Sequence, residues 1–426
     1  MMSHHSEDDT PRDTARPQFV VGRSGTRRYS LAALVERVVE AFHLEYDPDS
    51  PTILEADTSA RRLKLIVDVA DYVFAVESIV LLQDERASII ERAYSELFGY
   101  GPLDALLLDP SVTTISIRGS RQTSVRYGHR DLHVIGQIFD DDEHLQRIVD
   151  RLLIDAGVHG AADSGMLETG LTVRDRRLCL NLILPPLSYE VLADIRVHPA
   201  EAPSFDSLVS DGFMSSEAAD LIRRIVRSKY GIAIVGEPET GKTTLLNALC
   251  SLLPEAQSTI SVERAAELQL PAGMRRHAAA WNREENRLVT FGEQISRGLL
   301  DAPTCLLLDE VRADEPHAIA PLLDLDDVPR QIWVVRGAPD AKRLQSALGM
   351  LARRAAYGAG ERLVHRLYER LPFVLTVARI RERLQLFSIA EWQARVDTDY
   401  PDYVMLMRYQ EGQARSTDAQ PARWLD

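Results

Sequence analysis

Ile232-Ala233-Ile234-Val235-Gly236-Glu237-Pro238-Glu239-Thr240-Gly241-Lys242-Thr243-Thr244-Leu245-Leu246 is the stretch on which the reading of this chain turns. Four consecutive apolar residues suit a strand buried on both faces. They run straight into the pattern G-x-x-x-x-G-K-[ST], and helical spacing begins near Thr243-Thr244. Strand, glycine-bounded loop and helix therefore follow in the order of a phosphate-binding loop. Backbone amides of the loop Gly236-Glu237-Pro238-Glu239-Thr240-Gly241, and of the helix start through Thr244, can wrap an anion. Lys242 can reach the outer phosphate oxygens, and the Thr243 hydroxyl can ligate Mg²⁺. The chain holds only four lysines, Lys64, Lys229, Lys242 and Lys342, so composition alone would rarely place one here.

The second half of such a site is Leu306-Leu307-Leu308-Asp309-Glu310, an apolar strand that delivers two acids at its carboxyl end. Ligands of open α/β sheets bind at strand carboxyl ends. Asp309 is placed to hold the metal, directly or through water, and Glu310 to polarise an attacking water. Strand candidates at 258–262, 304–308 and 331–335 alternate with helical spacing, including a helix capped by Ser215 or Ser216 and another at 294–300. This pattern predicts a parallel sheet covered on both faces.

Upstream, apolar residues at Leu31, Leu34, Val35, Val38, Val39 and Phe42 mark an amphipathic helix, and a second helical stretch runs from about residue 61 through the nineties. Alternating runs at 112–117 and 124–127 around Gly119 predict a hairpin. A helix near 144–156 and strands near 177–184 and 191–197 follow, and the proline-bearing segment 199–203 is a linker. The expected divisions are a disordered tail at 1–25, a helical segment at 26–95, an α/β domain at 96–200, a second α/β domain at 207–392 and a C-terminal tail at 393–426.

The chain has 426 residues, 45% of them hydrophobic, and a formal net charge of −15. That balance suits a globular protein of several domains and argues against a general nucleic-acid surface, so no nucleic-acid partner is expected. The first twenty residues lack the apolar core of a signal peptide, and no apolar run is long enough to span a membrane. Cys179, Cys250 and Cys305 show no metal-ligand spacing and suit a reducing compartment. Positive charge is almost all arginine, which suits phosphate or carboxylate partners.

Gly101-Pro102-Leu103 with Leu108 to Thr113, Asn181 to Pro186 leading to Ile195-Arg196, and the phosphate loop followed by Leu245 to Leu249 together carry a family likeness. They resemble the secretion and pilus-assembly ATPases of the type II/IV superfamily, most like the tight-adherence pilus (CpaF/TadA-type) branch. The resemblance covers residues 95 to 390. It implies an N-terminal α/β domain followed by a RecA-like P-loop NTPase domain, ATP and Mg²⁺ as cofactors, and a hexamer of identical or related subunits. It also implies a platform protein in the inner membrane as partner and a cytoplasmic or membrane-peripheral location. By the same resemblance Glu263 is the acidic-box carboxylate near the catalytic water, Glu310 the Walker B glutamate, and Arg196 a residue near nucleotide at the domain junction. Arg283 or Arg287 occupies the place of a loop arginine facing a neighbouring site.

The departures are specific. The acidic box reads Glu263-Arg264, where the family has two acids. The histidine box reads Asp326-Asp327-Val328-Pro329 and then Val334-Val335-Arg336. Glu237 and Glu239 fill loop positions normally held by glycine, where their charge would repel phosphate. Cys179 replaces a strand arginine, with Arg177 on the same side two residues away. Two functions follow: a motor that hydrolyses ATP, or a non-catalytic subunit that binds nucleotide and completes a ring with an active relative.

Overall fold

The computed structural model describes residues 19–21, 28–47, 50–159, 165–254, 258–282, 284–285, 287–313, 315–338, 340–395 and 400–425. It divides into two compact units, residues 1–108 and 109–426. Most of the expected tail at 1–25, and Arg283, lie outside the described residues.

In the first unit, β1 (Phe19–Val21) pairs with β2 (Arg28–Ser30), and helices α1 (Leu31–Glu45), α2 (Pro51–Glu55), α3 (Ser59–Val76), α4 (Gln83–Phe98) and α5 (Leu103–Leu108) follow. Helical spacing puts Leu34, Val38, Ile66, Ala70, Ile89 and Ala93 in one buried cluster. The single helix expected from residue 61 onward is two helices. Ser78 takes a φ of 53°, and the Ile79 amide donates back to the Phe74 carbonyl at 2.9 Å. A left-handed residue ends a helix this way, and because it is serine and not glycine the stop is silent in the sequence.

The second unit opens with β3 (Val112–Arg118), β4 (Gln122–Tyr127), β5 (His133–Gly136), α6 (Asp142–Asp155), β6 (Met166–Val173), β7 (Arg176–Ile183) and β8 (Leu192–Val197). The strands form an antiparallel sheet ordered β5-β4-β3-β8-β7-β6. Register aligns Arg126, Thr114, Arg196, Cys179 and Gly170 as successive cross-strand partners. Directly paired residues point to the same face, so these five form one row.

After α7 (Phe205–Ser210) and α8 (Ser216–Arg227), whose Ser215 cap accepts the Ala218 amide at 3.2 Å, comes the strand-loop-helix unit β9 (Ile232–Gly236) and α9 (Lys242–Cys250). The chain continues through β10 (Thr259–Glu263), β11 (Arg275–Ala278), β12 (Ala280–Asn282), β13 (Arg287–Val289), α10 (Phe291–Leu300), β14 (Cys305–Val311), α11 (Ala320–Asp324), β15 (Arg330–Arg336), α12 (Ala341–Ala355), α13 (Gly360–Arg370), β16 (Phe373–Ile380), β17 (Arg383–Gln393), β18 (Asp402–Gln410) and β19 (Gln413–Ser416). Nine strands lie in the order β11-β10-β14-β15-β9-β16-β17-β18-β19. The run from β11 to β16 is parallel and the rest antiparallel. Every residue of β9 is buried, and apolar clusters lie on both faces of the sheet. The fold is α/β: a helical N-terminal segment, a sheet domain, and a RecA-like P-loop domain.

The segment expected as a C-terminal tail is part of that sheet. Glu411 and Gly412 take φ of 48° and 98° and join β18 to β19 as a tight hairpin, as two left-handed turn residues should. Among the described residues no helix is long and apolar enough to cross a membrane.

The antiparallel sheet packs tightly on the larger domain at Gly170, where a Cβ would lie 1.7 Å from the Ala265 carbonyl oxygen. Backbone cannot yield as a side-chain tip can. Gly170→Ala is therefore expected to destabilise the unit by roughly 3 kcal/mol and lower Tm by about 5 °C. Scanning calorimetry checks this, and an unchanged Tm would mean that this contact is not made.

Candidate functional site

A cleft of about 1440 Å³ opens at the carboxyl ends of β9, β14 and β15 and is closed from the other side by the Arg126–Gly170 sheet. Its floor is the phosphate loop. Gly241 takes a φ of 92° as it caps α9, a conformation that disfavours side chains and explains glycine at this position. The chain then turns its free helix amides toward the cleft.

Lys242 is almost wholly buried and donates Nζ to the Glu237 carbonyl at 2.6 Å. Burial pulls its pKa down to about 8, although Glu310 pulls it upward. Bound phosphate would restore the proton, so binding takes up a proton once pH exceeds this value. ADP affinity is therefore expected to stay flat up to about pH 7.5 and to weaken by up to roughly tenfold per unit above about pH 8. Titrations across that range test it, and a profile flat to about pH 9.5 would contradict it.

Thr243 and Thr244 line the cleft, as do Glu237, Pro238, Glu239 and Gly241. Thr240 turns its hydroxyl inward to the Glu237 carbonyl at 2.8 Å, and Gly236 ends the strand behind it. Asp309 is buried. One carboxylate oxygen accepts the Arg264 amide at 2.7 Å, while Oδ1 is buried with no hydrogen-bond partner. Burial, with the charges of Glu263 and Glu267, pushes its pKa well above the usual carboxylate range. An orphaned buried carboxylate oxygen on a residue that lines the same cleft as Thr243 fits a Mg²⁺ site. Among the described residues no cluster of three or more His, Cys, Asp or Glu is built for a metal. Thr243 and Asp309 would therefore hold such a cation together with the phosphates themselves.

Glu310 is engaged. Arg312 donates to its Oε2 at 2.6 Å and, with the same guanidinium nitrogen, to Glu168 of β6 at 2.8 Å. Burial pushes the Glu310 carboxyl up, but Arg312, Arg196 and Lys242 outweigh it and hold it below its ordinary value.

Glu263 does not stand where a water-activating acid must. It is fully buried, accepts from Ser261 at 2.9 Å, from Arg276 at 2.8 Å and from the Leu268 amide at 2.8 Å, and is not among the cleft residues. The following turn passes through Ala266 at a φ of 51° and brings Glu267 to the cleft instead. Glu267 meets His198 at 3.1 Å and Arg196 at 3.8 Å. Burial would raise its pKa, but the Arg196 charge and the His198 hydrogen bond bring it down to about 2. Arg196 thus lies at the cleft, tied to the acidic box through Glu267. Nothing in the sequence distinguishes Glu267 from Glu263 without the left-handed residue between them.

The departures from the family pattern find partners. Arg264 forks onto Glu315 at 3.0 and 3.1 Å and covers the Phe291 ring at 4.3 Å. Arg177 donates to the Ala266 carbonyl at 2.9 Å and does not line the cleft, while Cys179 is buried behind Glu267. Arg336 is exposed at the cleft, at the end of β15. Arg287 is held by Glu285 at 2.6 Å and Glu293 at 2.8 Å, away from the cleft.

Residues 139–321 match the family described as Type II/IV secretion system protein. A candidate conjugal transfer protein of Mycobacterium tuberculosis is 28% identical over 227 residues, which cover 52% of this chain and 64% of that one. The type IV secretion system protein VirB11 of Brucella suis is 27% identical over 264 residues, covering 56% of this chain and 72% of the other. Among solved structures, the Legionella pneumophila ATPase DotB aligns over 68% of this chain and 78% of its own, with 14% identity and a TM-score of 0.47. The chain spans about 64% of the length of the first curated relatives it matches. The family match spans less than half of the chain.

Proposed function

We propose that this chain is an ATP-binding subunit of a type II/IV secretion or pilus-assembly motor, of the tight-adherence branch, working as a hexamer against an inner-membrane platform from the cytoplasmic side. One observation carries the reading: Lys242, Thr243, Asp309 and Glu310 meet at one cleft, at the carboxyl ends of β9 and β14, which flank β15 in the parallel run. The loop amides and Lys242 bind the β- and γ-phosphates. Thr243 and Asp309 hold Mg²⁺, which when bound neutralises phosphate charge. Glu310 orients the attacking water and takes its proton. Arg196, from the opposing sheet, lies across the cleft from the loop and supplies cation to the phosphoryl group as the domains close.

A second reading rests on the Arg312 clamp. With Glu310 held by Arg312, Glu263 locked in the core and Arg336 in place of a histidine, the chain could bind nucleotide without turning it over. Turnover measured against protein concentration separates the two. A motor that closes between subunits gains specific activity as it assembles. A nucleotide-loaded oligomer with no turnover at any concentration, alone or mixed with a catalytically intact relative, establishes the second.

A further inference from the structure

Glu239 is the anomaly of the phosphate loop. It holds a φ of 58° without being glycine, a conformation that a side chain disfavours, and it brings a carboxylate to a loop whose ligand is an anion. The carboxylate is taken up by the opposing sheet. Oε1 accepts from the Thr114 hydroxyl at 3.0 Å, and Oε2 pairs with the Arg126 guanidinium at 2.9 Å. Arg126 is 12% exposed; its Nη1 donates to the Arg130 carbonyl at 2.7 Å, and its Nε is buried with no hydrogen-bond partner. Thr114 and Arg126 are paired neighbours in register, in the same cross-strand row as Arg196 and Gly170. The loop carboxylate therefore docks on the row of residues that the first sheet turns toward the P-loop domain.

We propose that Arg126 is a positioning residue that neutralises Glu239, so that the first sheet sets the nucleotide affinity of the phosphate loop. The inference rests on the nucleotide reading of the cleft. Without its partner, a carboxylate one loop turn from the phosphates repels them at low effective dielectric, enough to weaken binding by about tenfold. With the partner in place, the loop tolerates a residue whose charge is otherwise wrong for the site. Nucleotide binding then depends on apposition of the two domains even before any phosphate contact from the sheet.

The test is a double-mutant cycle read as Kd for Mg²⁺-loaded N-methylanthraniloyl-ADP at low salt. Arg126→Ala is expected to weaken binding about tenfold. Glu239→Gly, which removes the charge and relaxes the backbone, keeps or tightens it. The double variant is expected within about threefold of Glu239→Gly, because the charge that Arg126 compensates is gone. Arg126→Gln and Glu239→Gln repeat the cycle with polar bulk retained, so a folding defect in the smaller variants leaves the question decidable. An equal loss from removing Arg126 with Glu239 present and in the Glu239→Gly background would make Arg126 a direct phosphate ligand and overturn the proposal. Wild-type protein that binds no nucleotide overturns the reading of the cleft, a different failure from additive losses in a binding protein.

Discussion

Lys242→Ala is expected to weaken Mg·ADP binding by about 10- to 100-fold, the usual loss when a hydrogen-bonding partner of a charged group is removed. Lys242 is buried, and its ammonium rests on the Glu237 carbonyl at the cleft floor. The folded chain thus holds a desolvated cation in place before any anion arrives. That arrangement costs stability by itself, which is why burial depresses its pKa. The cost is recovered only when phosphate is bound. Two changes should therefore appear together: nucleotide affinity collapses, and the nucleotide-free protein is no less stable than wild type. Thermal shift with and without Mg·ADP reads both. At about 100 times its Kd a ligand adds about 2.7 kcal/mol of stability, and at the same concentration the variant should gain only about 0.4 to 1.4 kcal/mol. Loss of stability in the nucleotide-free variant, with affinity intact, would make Lys242 a structural residue.

Glu310→Gln is expected to lower ATP turnover by roughly 10²- to 10⁴-fold, the range for loss of a general base, while Mg·ADP affinity stays within about threefold. A carboxamide can still accept from Arg312 but cannot take the proton of water. Arg312 keeps Glu168 as a partner, so the variant retains the bridge between the two domains. Single-turnover measurement on nucleotide-loaded protein separates chemistry from release. Equal turnover in wild type and variant would mean that Glu310 carries no catalytic role, and would favour the non-catalytic subunit.

The strand, loop and acidic strand end that make the floor of the cleft are legible in the sequence because each is local. Ile232 to Leu246 contains its own strand, glycine turn and helix start, and Leu306 to Glu310 its own strand and acids. The wall is not legible. The row from Arg126 to Gly170 exists only through the pairing register of five strands, and Met166–Val173, with Gly170 in its middle and threonines beside it, carries too weak a pattern to announce a strand. Glu263 and Glu267 are separated by a left-handed alanine that no propensity rule anticipates, so the sequence points to the acid locked in the core and passes over the one that lines the cleft. Repulsion between Glu239 and phosphate is sound as electrostatics. What the sequence hides is Arg126, which lies 113 positions away along the chain and 2.9 Å away in the fold.

The central claim, that this cleft binds nucleotide through Lys242 and the phosphate loop, is tested most directly by calorimetric titration of the purified chain with Mg·ADP near pH 7. One site per chain with a micromolar-range Kd, about −8 kcal/mol, weakened about 10- to 100-fold in Lys242→Ala, is the expected result. No binding to wild-type protein at about 1 mM nucleotide, or binding untouched by Lys242→Ala, would contradict it.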